Sequence, residues 1–160
     1  MRFRDLLKAW LPVILWMALM FFGSTDLMSA EHTSRFITPF LRWLDPEISP
    51  DAINHVHALV RKAAHVTEYA ILTGLLFRAL RGLIDRFWWR AGVAFLPAMI
   101  FAAADEYHQS FVPSRTGSPI DVLIDYCGAI VGILICRALH LALRNRDPRL
   151  AERPQNRSEP

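Results

Sequence analysis

Four blocks of apolar residues separated by polar stretches organise the chain, at about residues 9–23, 63–83, 87–104 and 119–143. Blocks of this length predict membrane-spanning helices, although several fall near or below the usual ~20 residues. Local signals sharpen their ends. Ser49-Pro50 supplies a cap followed by proline at the first helical position, so a helix is predicted to begin there. Residues 50–62 then form an amphipathic lead-in to the second span, lying in the membrane interface. Trp88 and Trp89 act as interfacial anchors for the third span, and Pro97 predicts a kink within it. Ser118-Pro119-Ile120-Asp121 opens the fourth with a cap, a proline and an acid in the first turn. Residues 24–62 read as an outer loop, and the polar, proline-containing tail at 144–160 as disordered. A cleaved signal peptide is the competing reading of the first block. Met28 stands two before Ala30, where a small residue is wanted, which favours a retained helix.

Composition agrees with this pattern. Hydrophobic residues make up 53% of 160, and mean hydropathy is +0.23. There is room for one domain and no internal repeat. The predicted fold is therefore all-α: a polytopic membrane four-helix bundle over residues 1–143. Cys127 and Cys136 both fall in the last span, roughly 13 Å apart along a helix, too distant to bond with each other.

Charge orients the bundle. With the N-terminus in the cytoplasm, 13 of the 18 Lys and Arg residues lie inside, whereas ten of the 15 acids and five of the six histidines lie outside. The positive-inside rule thus places both termini in the cytoplasm of a cell with this protein in its inner (plasma) membrane.

The polar residues at the span ends converge on that outer side. They are Lys62, His65 and Glu68; Asp105, Glu106, His108 and Gln109, with Arg115 close behind; and Asp121 with Asp125. Ser24-Thr25-Asp26 ends the first span on the same side. Ionisable groups at membrane helix ends are costly unless paired or solvated, so a convergent set marks a functional site. His65 and Glu68, like Asp105 and His108, are three apart and share a helical face. Two acid–imidazole pairs on facing helices resemble the metal sites of bundle proteins. The alternative is charge compensation among the acids, Lys62, Arg115 and the histidines, and whether a metal or other cofactor binds stays open.

As catalytic candidates, His65 or His108 is the general base and Glu106 or Asp105 the acid or metal ligand, with Glu68 beside them. Lys62, Gln109, Arg115, Asp121 and Asp125 are candidate ligand contacts, Arg115 and Lys62 being suited to phosphate or carboxylate. Asp121 reads equally as a capping residue. Asp125 lies too deep for the helix dipole and needs a partner such as Arg115, Lys62 or a histidine. His32, His55 and His57 read as solvated or interfacial. Gly128 and Gly132 form a small-xxx-small pattern that lets a helix approach closely, within the bundle or in an oligomer.

Three linked motifs carry a family resemblance. They are Lys62-x-x-His65-x-x-x-Tyr69-x-x-Leu72, Asp105-Glu106-x-His108-Gln109-x-Phe111-x-Pro113-x-Arg115, and Asp121-Val122-x-x-Asp125-x-x-Gly128-Ala129-x-x-Gly132. With Phe22-Gly23-Ser24 at the start, the chain resembles the VanZ-like membrane proteins over about residues 10–134. The resemblance implies an integral membrane protein of the cell envelope, in a family named for low-level resistance to teicoplanin. It implies fold and location rather than a reaction, and teicoplanin resistance is not carried over to this chain.

Two functional expectations follow. In the first, the outer cluster binds an envelope lipid, a cell-wall precursor or a glycopeptide-type ligand. In the second, it is a membrane-boundary enzyme, an acid–base or metal-assisted hydrolase or transferase acting on a lipid-linked substrate. Membrane lipids are partners in both. No serine-nucleophile motif, phosphate-cradling glycine loop or nucleic-acid signature is found.

Overall fold

In the computed structural model, residues 3–24, 30–111 and 118–146 are described. Arg115 and the tail beyond residue 146 lie outside them. The described residues form five helices and no strand: α1 (Phe3–Gly23), α2 (Ala30–Leu44), α3 (Pro50–Ala79), α4 (Phe87–Gln109) and α5 (Pro119–Arg146). A 3-10 turn at Leu80–Gly82 follows α3. Three stretches, Arg4–Gly23, Phe87–Gln109 and Pro119–Asn145, are long and apolar enough to cross a membrane.

The hub is α3, which packs against all four other helices. At 30 residues it is about 45 Å long. Its start is set as the sequence predicts: Ser49 is the N-cap, its hydroxyl accepting from the Ala52 N–H, with Pro50 in the first turn. From His65 onward α3 is mostly covered by its neighbours and carries His65, Tyr69 and Thr73 on its buried side. That also explains why it is absent from the three stretches that qualify by hydropathy.

Side-chain contacts give the directions. Trp16 Nε1 donates to the Glu68 carbonyl (3.0 Å), while Arg78 donates to the Ala9 carbonyl (3.2 Å), so α1 and α3 are antiparallel. Phe77 meets Phe87 (4.9 Å between ring centroids) and Tyr69 meets Phe101 (6.4 Å), so α3 and α4 are antiparallel too. By contrast, α3 and α5 run parallel, Val66 lying against Gly128 and Ala70 against Gly132.

Large core side chains from α1 and α3, such as Val13, Tyr69 and Leu72, pack against small residues on α4. On α4 the buried positions are Ala91, Ala94, Ala98 and Ala102, a stripe at intervals of three and four that continues into Asp105 and Gln109. Large apolar side chains such as Leu15, Leu19, Leu96, Ile100 and Leu134 point outward. A soluble bundle would bury them; a lipid-facing surface needs them there. The helix α4 runs unbroken through Pro97, which is on its exposed side.

Within the outer segment 24–62, residues 50–62 are the first turns of α3, the lead-in read from the sequence, while α2 lies in the part expected as loop. In α2, Phe36, Phe40 and Trp43 recur at helical spacing and are exposed, the arrangement of an interfacial helix. It is short and contains Pro39, which hides it from a search for spans. His57 is not simply solvated: it shares a 3.1 Å hydrogen bond with Thr38 and ties α3 to α2.

Arginine and aromatic side chains gather at one end of the bundle. Arg90 lies over the Phe77 ring (4.7 Å), and Arg137 over Phe87 (5.1 Å) and Trp88 (5.6 Å). The carboxylates gather at the other.

Candidate functional site

Four helices deliver polar side chains to the second end: α1 through Ser24, α3 through Arg61, His65 and Tyr69, α4 through Asp105, Glu106 and Gln109, and α5 through Asp121 and Asp125. All but Arg61 are buried. The site is built as two layers around the α3–α5 seam and a third group between α1 and α4.

Along the seam, Arg61 donates to Asp121 and, one turn deeper, His65 Nδ1 pairs with Asp125 Oδ1 at 2.9 Å. The two pairs repeat at the same offset because the helices are parallel and in register. An ionised carboxylate only accepts, so in this pair the Nδ1 of His65 carries a proton. About one turn further along the seam, Gly128 and then Gly132 of α5 lack the side chain that would separate the backbones. A Cβ built on Gly128 would stand 2.5 Å from the Val66 carbonyl oxygen.

Between α1 and α4, the Ser24 hydroxyl donates to Asp105 Oδ1 (2.7 Å). Gln109 Nε2 donates to Asp105 Oδ2 (2.9 Å) and to the Ser24 oxygen (3.3 Å). Among the described residues, both oxygens of Asp105 are thus satisfied by neutral donors. Replacing Ser24 with alanine is expected to leave Oδ1 buried without its donor and to destabilise the protein by about 1–3 kcal/mol. Chemical denaturation in detergent measures it; an unchanged midpoint would remove Ser24 from the site.

Glu106 closes the third side. Its Oε1 accepts from the Ser118 backbone N–H, one of the donors left open at the start of α5, where a carboxylate is favoured by the helix dipole. Glu106 also lies within Coulombic reach of Asp121, Asp125 and His65. The buried Tyr69 lies within Coulombic reach of Asp125, Asp105, Glu68 and Glu106.

The structure therefore brings together His65, Asp105, Glu106, Gln109, Asp121 and Asp125 of the expected residues. It re-pairs them. His65 takes Asp125 rather than Glu68, which is half-buried. Asp105 takes Ser24 and Gln109, while the ring of His108 lies against Phe21 (4.8 Å) and its Nδ1 has no partner. Lys62 is exposed. The two acid–imidazole pairs read for a metal thus do not face one another, and among the described residues no three His, Cys, Asp or Glu side chains form a metal-holding group.

Sequence reasoning passed over Arg61 and gave Tyr69 no role. Both were detectable, since Arg61, His65 and Tyr69 recur every four residues on one face of α3, as Asp121, Asp125 and Gly128 recur at intervals of four and three on α5.

A helical membrane protein with a buried carboxylate and histidine cluster at one end of its bundle is the class defined by fold and site. A family model for VanZ/LLP1 matches residues 9–141. The chain belongs to the VanZ/LLP1 family. No curated protein and no solved structure matches it.

Proposed function

We propose that the cluster end faces away from the cytoplasm in the inner membrane and binds the polar head group of an envelope lipid or lipid-linked cell-wall precursor. The observation that carries this reading is an imbalance of acceptors over donors. Among the described residues, Asp105, Glu106, Asp121 and Asp125 are all buried, while one arginine and one histidine pair with Asp121 and Asp125. Even after these pairings, Glu106 Oε2 and Asp125 Oδ2 are buried without a hydrogen bond. Buried polar atoms in folded proteins are almost always satisfied, so the site suits a ligand that brings hydrogen-bond donors. The sidedness rests on the charge distribution along the chain.

The test is retention of envelope lipids from a total extract by the purified protein, read by native mass spectrometry. A defined head-group class should stay bound to the wild type and be lost about tenfold in Glu106→Gln, the factor expected for one charge-assisted hydrogen bond. Identical, unselective lipid profiles for the two proteins would sink the reading.

The His65–Asp125 pair favours a second reading, a membrane-boundary hydrolase or transferase. An acid that holds Nδ1 orients the imidazole and presents Nε2 as general base. Here His65→Gln is expected to abolish turnover of a lipid-linked substrate while ligand retention persists. Turnover at the wild-type rate in that variant would exclude His65 as the base.

A further inference from the structure

At the end of the bundle away from the carboxylates, the first turn of α4 is left open. Its N-cap is Arg86, no side chain caps it, and no acid stands in the turn. The Arg90 N–H donates to the Arg86 carbonyl (3.0 Å), so the amides up to Trp89 have no acceptor within the helix.

Two guanidinium groups converge on that turn. Arg90 folds back to donate Nη2 to the Asp85 carbonyl (3.1 Å), and it lies over the Phe77 ring of α3 (4.7 Å). Arg137 reaches across from α5 to lie over the rings of Phe87 (5.1 Å) and Trp88 (5.6 Å), the first two residues of α4. Phe77 and Phe87 are themselves in contact, 4.9 Å between centroids. The two cations and the open helix start therefore form one constellation built by three helices.

Neither cation is neutralised. Among the described residues the ion pairs are Arg61 with Asp121 and His65 with Asp125. The exposed Asp85 gives Arg90 its carbonyl, not its carboxylate, and Arg90 Nε is buried without a hydrogen bond. An aromatic ring takes the face of a guanidinium and leaves its in-plane N–H groups for an acceptor. Open donors, two positive charges and the positive end of a helix dipole together suit an anion with several oxygens, as phosphate is. Depth selects its carrier. Trp88 and Trp89 are exposed at the start of a helix long and apolar enough to cross a membrane, and indoles at a span's end lie at the level of the lipid head groups.

We infer that the start of α4, with Arg90 and Arg137, binds the phosphate of an anionic phospholipid of the phosphatidylglycerol kind. A zwitterionic head group carries the same phosphate but brings its ammonium among the arginines, so a net negative head group is preferred. This site is separate from the carboxylate cluster and does not rest on the head-group reading given above for that cluster.

The test offers the full-length protein in detergent equal amounts of phosphatidylglycerol and phosphatidylcholine with the same acyl chains. Lipid retained is counted by native mass spectrometry, and thermal melting checks each variant's fold. Phosphatidylglycerol should be retained about tenfold over phosphatidylcholine. Arg90→Gln and Arg137→Gln should each lower its retention about fivefold, the factor for one arginine beside an anionic head group. Should Arg90→Gln not fold, Arg137→Gln carries the comparison. Arg4→Gln removes an exposed charge from the start of α1, which Arg78 ties to the same end of the bundle, and should change retention little. Inorganic phosphate in about tenfold excess should not displace the lipid, because it lacks the acyl chains that hold the head group at the interface. Equal retention of the two lipids, or a preference untouched in both arginine variants, overturns the proposal. An equal loss in Arg4→Gln and Arg137→Gln also overturns it, since net charge and not a site would then be responsible. Displacement by phosphate overturns the lipid assignment and makes the ligand a soluble anion.

Discussion

Gly128→Ala and Gly132→Ala are each expected to destabilise the protein by about 1–3 kcal/mol, the range for overpacking a close contact. The added Cβ would meet backbone, which cannot rotate away. At Gly128 it would stand 2.5 Å from the Val66 oxygen and 2.8 Å from the Val66 Cα; at Gly132, 2.5 Å from the Ala70 oxygen and 3.0 Å from its Cα. The helices must separate, and the His65–Asp125 pair, one turn away on the same seam, must lengthen. Gly92 supplies the internal control, because nothing lies within 4 Å of a Cβ built there. Gly92→Ala is expected to be neutral or slightly stabilising, since alanine is the better helix former. Denaturation midpoints of the three variants in detergent check this. Equal effects at Gly92 and Gly128 would mean that close packing of α3 on α5 is not what the glycine provides.

Breaking the His65–Asp125 pair is the second large effect. Asp125 is 1% exposed and His65 7%, so removing either partner strands the other in a site with little water. Asp125→Ala and His65→Ala are each expected to cost about 3–5 kcal/mol, as for other buried pairs that lose one member. The double variant should cost less than the two singles added, with a coupling of about 2 kcal/mol. A double-mutant cycle by chemical denaturation measures that coupling directly. Strict additivity would show that the two side chains are neighbours without being partners. A stabilised double variant would still be compatible with the proposed site, because binding sites commonly hold polar groups at a cost to stability.

Much of the architecture is legible in the chain because lipid imposes simple rules. Apolar blocks must be helices, since no other element satisfies its backbone in a bilayer except a closed barrel. Hence the all-helical fold, the start of α3 at Pro50 and the convergence of polar helix ends could be read without coordinates. One element was hidden for an identifiable reason. The helix α2 is amphipathic and interrupted by Pro39, so it has neither a span's length nor its hydropathy.

The partners within the site were less legible. Spacing along one helix suggests His65 with Glu68 and Asp105 with His108, since residues three apart share a face. Yet a face is about a third of the helix circumference, and within it the nearest side chain on another helix wins. His65 points at α5 because Tyr69 and Leu72, which follow it on the same stripe, are buried in the core. Asp105 points at α1 because the alanine stripe of α4 carries it inward, where Ser24 and Gln109 wait.

Residue order alone thus sets which helices form, where they begin and which end of the bundle is acidic, because these depend on local hydrophobicity, caps and charge. Tertiary packing decides which acid meets which base. The parallel α3–α5 seam, closed at Gly128 and Gly132, fixes a register in which Arg61 meets Asp121 and His65 meets Asp125. A shift of one residue would turn these side chains by about 100° and part both pairs. That register is a property of helices in contact and not of any one of them.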